Sequence, residues 1–198
     1  MIALSVSLVL AYLLGSLSPS YLSGKMLRGI DLREHGSGNV GATNVFRVLG
    51  KGPGIIALLL DVGKGFFAIR LLGAFFETHF MIPFDLVVYR IFVGLAVIVG
   101  HNWTIFLKFK GGKGVATSFG VFLALAPDAI GISASVWLLV ALVTRKVSLG
   151  SLAAALSAPL VLFFLRKPAP LTMFSLLITF VIFYTHRTNI RKIFFEKR

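Results

Sequence analysis

Long apolar runs alternate with short polar breaks along this chain, and the breaks hold most of its charge. A helix needs roughly 20 apolar residues to cross about 30 Å of hydrocarbon. The runs at about 2–22, 54–76, 84–100, 115–126, 128–144, 149–165 and 171–186 meet or approach that length. The pattern predicts an all-α integral membrane protein, a bundle of seven transmembrane helices forming one polytopic domain over 1–198. The fourth and fifth runs are separated only by Pro127-Asp128, compatible with a tight hairpin or with one long helix kinked at the proline. The fourth has about twelve apolar residues, roughly 18 Å of helix, too short to cross unaided. Its start at Gly114 is therefore expected below the headgroup level, with the preceding loop dipping inward. The first run lacks a cationic leader and exceeds the length of a signal-peptide core, which predicts an uncleaved span.

Composition supports this class: 57% of residues are hydrophobic, only 14% are charged, and mean hydropathy is +0.92, outside the soluble range. A formal charge of +13 would suggest nucleic acid in a soluble protein. Here the cations sit in short loops beside apolar runs, so no nucleic-acid partner is expected. In seven-span parity one face collects Lys25, Arg28, Arg33, Arg47 and Lys51, then Lys108, Lys110 and Lys113, then Arg145 and Lys146, and finally Arg187, Arg191, Lys192, Lys197 and Arg198. The other face has only Arg166 and Lys167. Positive charge marks the cytoplasmic side, which places the N-terminus outside and the C-terminus in the cytoplasm. Lys25, Arg28, Lys197 and Arg198 read as orientation signals and contacts to anionic lipid. The chain has no Cys, which removes disulfides, thiol nucleophiles and Cys-based metal sites.

Two glycine-rich basic breaks stand out: Gly36-Ser37-Gly38-Asn39-Val40-Gly41 running on through Thr43 to Arg47, and Gly111-Gly112-Lys113-Gly114. Glycine lets consecutive backbone N–H groups face one anion, and Ser, Asn, Arg and Lys add donors, so each reads as a phosphate cradle. Both imitate nucleotide motifs. Residues 36–41 match GxGxxG, with Asp61 at the spacing of the usual acidic residue, but no buried strand precedes them and Asp61 falls inside an apolar run. The second stretch fails as a Walker loop because Leu107 replaces its first Gly and Gly114 its Ser or Thr. In the seven-span topology both stretches, the segment Ser148 to Ser151 and the polar tail 185–189 reach one face, where one site can gather them.

Asp61 and Lys64 share a helix face within the second run. Buried charges are costly and usually functional, and the alternative is an internal ion pair that orients Lys64 and Gly65 without touching substrate. Asp85 and Arg90 share a face poorly and read as partners of other helices. His101 opens the second loop as a hydrogen-bonding histidine at an interface. His186 has Asn189 on its face and Arg187 and Arg191 beside it. No histidine or carboxylate spacing fits a metal site, and no cofactor is implied.

On these residues the sequence resembles the bacterial acyl-phosphate:glycerol-3-phosphate acyltransferases, the PlsY family. The resemblance covers nearly the whole chain. It includes Gly15-Ser16 with Pro19, residues 36–44 with Arg47, Asp61 with Lys64-Gly65, Gly100-His101 through Lys110-Gly111-Gly112-Lys113-Gly114, Ser148 to Ser151, and His186 with Asn189-Ile190. Trp103 stands where the family more often has Phe, and the tail Phe194-Phe195-Glu196 lacks a glycine often found there. The resemblance implies transfer of a fatty acyl group from acyl phosphate to the 1-hydroxyl of glycerol 3-phosphate, giving lysophosphatidic acid and inorganic phosphate in phospholipid biosynthesis. It also implies residence in the bacterial inner membrane with the site facing the cytoplasm and membrane lipids as partners; the sequence does not set the oligomeric state, and a monomer is favoured.

Lys113, Arg47, Ser37, His186 and Asn189 are the expected catalytic residues. Gly36, Gly38, Asn39, Val40, Gly41, Thr43, Gly111, Gly112, Gly114 and Ser151 are expected to bind the phosphates, supported by His101, Asp61 and Lys64. The HxxxxD motif of thioester-using glycerophosphate acyltransferases is absent, and the leaving phosphate of an acyl phosphate is itself basic enough to take the proton. An acylated Ser37 is the competing mechanism. A phosphate-ester transporter using Asp61, Lys64, Arg70 and Arg90 is the competing function.

Overall fold

A computed structural model describes residues 1–83 and 85–194, and among these it contains helices and no strands. Residues 195–198 lie outside the described residues, and with them Lys197, Arg198 and most of the tail that departs from the family pattern. The chain divides into two compact units, Met1–Leu125 and the residues from Ala126 onward.

The first unit holds α1 (Ile2–Ser16), α2 (Pro19–Arg28), a 3-10 turn (Leu32–Glu34), α3 (Ala42–Val48) and α4 (Lys51–Phe67). A π turn (Ala68–Gly73) then leads into α5 (Ala74–His79), followed by α6 (Leu86–Asn102), a second 3-10 turn (Ile105–Leu107) and α7 (Val115–Leu125). The apolar run expected at 2–22 is thus two helices. Pro19 has no N–H to give to the carbonyl of Gly15 four residues back, so α1 stops at Ser16. Chain direction then resets at Ser18, whose hydroxyl accepts from the Tyr21 N–H and caps α2.

Two reciprocal glycine contacts set the packing. A Cβ on Gly15 would strike the backbone of Val97, and one on Gly100 the backbone of Tyr12, so α1 and α6 run antiparallel at the closest backbone approach. Gly65 lies likewise on Thr117, and Gly120 on Val62, which locks α7 antiparallel to α4. Small residues do this work in membrane helices because lipid supplies no hydrophobic drive toward helix pairing. Arg90 forms a two-pronged pair with Glu77 at 2.8 and 2.7 Å, and Asp85 caps α6 by accepting from Val87 N and Val88 N. Both charges therefore have structural partners.

The second unit holds α8 (Pro127–Thr144), α9 (Val147–Phe164), α10 (Ala169–Thr185) and α11 (Arg187–Phe194). Pro159 inside α9 frees the carbonyl of Ala155, and the Thr179 hydroxyl of α10 donates to it at 2.6 Å. Lys167 pairs with Asp128 at 2.7 Å, tying the end of α9 to the start of α8. Helix α7 ends at Leu125 and α8 starts at Pro127 after one non-helical residue, Ala126, so 115–143 is not one continuous helix.

Four helical stretches are long and apolar enough to cross a membrane: Ile2–Arg28, Leu86–Leu107, Pro127–Thr144 and Val147–Phe164. Val115–Leu125 and Ala169–Thr185 are shorter apolar helices. Large side chains such as Leu59, Leu142, Phe163, Phe164 and Phe180 point outward, as they do when lipid is the solvent.

Candidate active site

The first glycine stretch is shaped by Asn44, a side chain that sequence reasoning left out of the site. Asn44 is buried in the first turn of α3. Its Oδ1 accepts from Ser37 N at 2.8 Å, and its Nδ2 donates to the carbonyls of Leu32 (3.2 Å) and His35 (2.9 Å). Gly36 and Gly38 take φ of 64° and 71°, the left-handed region that L-residues avoid. A Cβ on Gly36 would also strike the Asn44 side chain. Ser37 N and Gly38 N are thus spent on Asn44 and on the His35 carbonyl, while the N–H groups of Asn39, Val40 and Gly41 take no part in these bonds.

Ser37, Thr43 and Arg47 are exposed, and Val40 is buried beneath the loop. Beside it, Asp31 and Arg33 pair at 2.6 Å, and Arg33 lies over the Tyr21 ring. The hydrogen bond from Arg33 holds the Asp31 carboxyl down at about 2.

The second stretch is built differently. Gly111 N donates to Asn102 O and Gly112 N to His101 O, both at 3.0 Å, so these amides satisfy the last carbonyls of α6. A Cβ on Gly111 would enter the backbone of His101 and Asn102, and one on Gly112 the His101 ring at Nε2. Gly114 has φ 81° and packs on the Asn102 amide. Two amides assigned to a phosphate cradle therefore act as scaffold. Lys113, between them and α7, is partly buried. Asn102 is a second residue missed in the sequence. It is 4% exposed, and neither end of its amide has a hydrogen-bond partner among the described residues, an arrangement that is costly unless something else binds it. Its only sequence signal was its place next to His101 at a helix end.

Beneath this stretch lie Asp61, Lys64 and His101, all buried. Lys64 Nζ is 2.9 Å from Asp61 Oδ1, 2.8 Å from His101 Nδ1, and 2.9 and 2.8 Å from the carbonyls of Gly15 and Leu17. The Gly15 carbonyl is the one orphaned by Pro19. Thr104 adds a hydrogen bond to the Ser16 carbonyl at 2.7 Å. Of the two readings of Asp61 and Lys64, the internal ion pair matches these contacts. No group of three or more His, Cys, Asp or Glu able to hold a metal occurs among the described residues.

The remaining expected residues belong to the second unit. Ser151 Oγ donates to Val147 O at 3.0 Å and accepts from Trp137 Nε1 at 3.3 Å. His186 is buried at the end of α10, its Nδ1 donating to Ile182 O at 2.8 Å, which directs Nε2 away from that carbonyl. Asn189 follows one turn later in α11 and is half-buried.

Apolar helices packed through small residues around a buried charge cluster define an integral membrane protein. PlsY, described as an integral membrane glycerol 3-phosphate acyltransferase and solved in a glycerol 3-phosphate form, matches with TM-score 0.86 and 40% identity, covering 96% of this chain and 91% of its own. Its lysophosphatidic acid form matches with TM-score 0.84 and 38% identity over the same shares. The glycerol-3-phosphate acyltransferase family pattern matches residues 5–196. Glycerol-3-phosphate acyltransferase 2 of Moorella thermoacetica is 42% identical over 95% of this chain and 92% of its own length. The enzyme of Synechococcus elongatus is 40% identical over 93% and 88%. The chain belongs to the glycerol-3-phosphate acyltransferase family and is an acyltransferase. The transporter reading gives way to this assignment.

Proposed function

We propose that the protein transfers a fatty acyl group from acyl phosphate to the 1-hydroxyl of glycerol 3-phosphate, yielding lysophosphatidic acid and inorganic phosphate. The observation that carries this reading is the relative of the same fold in glycerol 3-phosphate and lysophosphatidic acid forms, an acceptor and its acylated product. The hydroxyl oxygen attacks the acyl carbon, the bond from that carbon to the phosphate oxygen breaks, and the hydroxyl proton passes to the departing phosphate. Holding two anions together asks for cations at fixed positions, and a polarised carbonyl asks for preorganised donors.

Arg47 and Lys113 neutralise the pair of phosphates. Ser37, Asn39, Thr43 and the amides of Asn39, Val40 and Gly41 hold the phosphate of the acceptor, glycerol 3-phosphate, while Lys113 stabilises the oxyanion. His186 and Asn189 orient glycerol 3-phosphate. Ser37 serves as a ligand and not as a nucleophile. In support, no histidine or carboxylate among the described residues is hydrogen-bonded to its hydroxyl.

Purified protein given labelled glycerol 3-phosphate with acyl phosphate, acyl-CoA or acyl-carrier-protein thioester tests the donor. Product from acyl phosphate alone is expected, and product only from a thioester overturns the reading. A hydroxylamine-sensitive acyl group trapped on Ser37 overturns the direct transfer.

The same reading places seven spans in the cytoplasmic membrane, the N-terminus outside, and the C-terminus and active site inside, with the protein acting as a monomer. Because the chain has no Cys, single Cys substitutions at exposed positions such as Arg47 and Arg166 report sidedness to an impermeant maleimide. Labelling of Arg47→Cys from outside intact cells would reverse the orientation.

A further inference from the structure

An ammonium has three protons and no lone pair, so any nitrogen 2.8 Å from it must accept. Lys64 Nζ stands at that distance from His101 Nδ1, nearer than Asp61 Oδ1 at 3.4 Å, so Nδ1 turns its lone pair to the ammonium and the ring proton lies on Nε2. Nε2 faces Gly112, in the space where a side chain on that residue would sit. The His101 backbone carbonyl also receives the Gly112 N–H. Lys64 is held in turn by Asp61 and by two carbonyls freed where α1 breaks before Pro19. With its three protons directed at two carbonyls and the His101 ring, and Asp61 beside it as counter-charge, this buried lysine has no freedom to serve a substrate directly. It has the geometry to fix something else.

We propose that Lys64 is a positioning residue for the second glycine stretch. By donating to Nδ1 of His101 it holds one tautomer and one orientation of the imidazole against Gly112, and so fixes the backbone that carries Lys113. Asp61 neutralises Lys64 and orients it. The inference rests on the acyl-transfer reading of Lys113, yet its structural half stands or falls separately.

Removing Lys64 alone strands the Asp61 carboxylate, which destabilises the fold for a reason unrelated to positioning. The informative variant is therefore Asp61→Asn/Lys64→Met, in which no buried charge is left over. Thermal stability in detergent near the wild-type value is expected, with kcat down about ten- to a hundredfold, as small misplacements of a reacting group produce. KM for glycerol 3-phosphate should stay within about threefold, because the first stretch is untouched.

His101→Ala should lower kcat to a similar extent, and adding it to the double variant should lower kcat no further, since both changes break one chain of contacts. Imidazole ¹⁵N spectra, with the His101 signals assigned by loss in His101→Ala, should show His101 as the Nε2–H tautomer in the wild type and as a mixture in the double variant. Recovery of both stability and kcat in the double variant, effects that multiply, or an unchanged tautomer would each overturn the proposal. Wild-type protein that fails to acylate from any donor would sink the acyl-transfer reading, while the tautomer measurement would still judge the role of Lys64.

Discussion

The two glycine stretches share a composition and differ in what demands it. The first lies open before α3, with exposed Ser37, Thr43 and Arg47, and its glycines at 36 and 38 are required by positive φ. The second is folded onto the end of α6, and its glycines at 111 and 112 are required by the close approach of His101 and Asn102. The partner below it, Asp61, lies about 15 Å along α4 from that helix's first residue at 1.5 Å per residue. Asn44 organises the first stretch through a side chain; backbone bonds to a neighbouring helix end organise the second. A loop held by one side chain is open to adjustment for substrate entry, whereas one held by backbone contact is rigid and suited to placing a charge. That division matches acceptor capture by the first and stabilisation of the reacting centre by the second.

The sharpest test of the contrast is Lys113→Ala against Arg47→Ala. Turnover should fall by roughly 10²–10³-fold for Lys113→Ala, the range for loss of a donor to a developing oxyanion. Arg47→Ala should act mainly on KM for glycerol 3-phosphate. Normal steady-state turnover in Lys113→Ala would break the assignment of roles.

Next in size is Gly111→Ala. The added methyl has only backbone to displace, so a stability loss of about 1–3 kcal/mol is expected, read as earlier thermal unfolding in detergent. Gly29→Ala is its control, since the added Cβ meets nothing there and only the positive φ is penalised. Equal losses in the two variants would show that close approach is not what demands glycine at 111.

Asn44→Ala should be milder in stability and specific in kinetics. It leaves Ser37 N and two carbonyls without their partner, a cost on the order of 1–3 kcal/mol reduced where water can reach the loop. A several-fold rise in KM for glycerol 3-phosphate with kcat nearly kept is expected, and an equal fall in kcat would place the first stretch in the reacting centre too.

The smallest effect belongs to Asp31. Its carboxyl titrates at about 2 in the folded protein and 3.8 ordinarily, so its pair with Arg33 stabilises the fold above pH about 4 and loses that contribution as pH falls toward 2. The pair is partly exposed, which keeps the effect small. Asp31→Asn should flatten the decline of thermal stability between pH 4 and 2.5 and lower stability slightly at pH 7, with the difference from the wild type vanishing toward pH 2.

Much of this was legible in the sequence because membrane helices announce themselves by length and hydropathy, and because glycine beside Arg or Lys in a polar break marks a backbone with a special task. Each expected run falls on helix with ends shifted by a few residues, and four helical stretches, including Ile2–Arg28, are long and apolar enough to cross a membrane, while 54–76 is divided among α4, the π turn and α5. The first run holds as one apolar stretch, but hydropathy is blind to a missing N–H, and Pro19 divides it into α1 and α2. The site was legible in residue type and only partly in role. Gly111 and Gly112 read as anion donors, yet their amides close α6. Asn44 and Asn102 lay inside the family-matched stretches but were given no role, since nothing local says that an amide will be buried under a loop.

The sequence by itself determined an all-helical membrane protein, the places where its backbone must turn or approach closely, and the family motifs that point to acyl transfer, because these depend on local composition and order. Only the tertiary structure decided which glycine demand was conformational and which was steric, and which charges were partners. Lys64 meets Gly15, Leu17 and His101 from distant parts of the chain. Such pairings depend on how α1, α4 and α6 cross, and crossing geometry is set by close approaches between residues far apart in sequence, which no local pattern records.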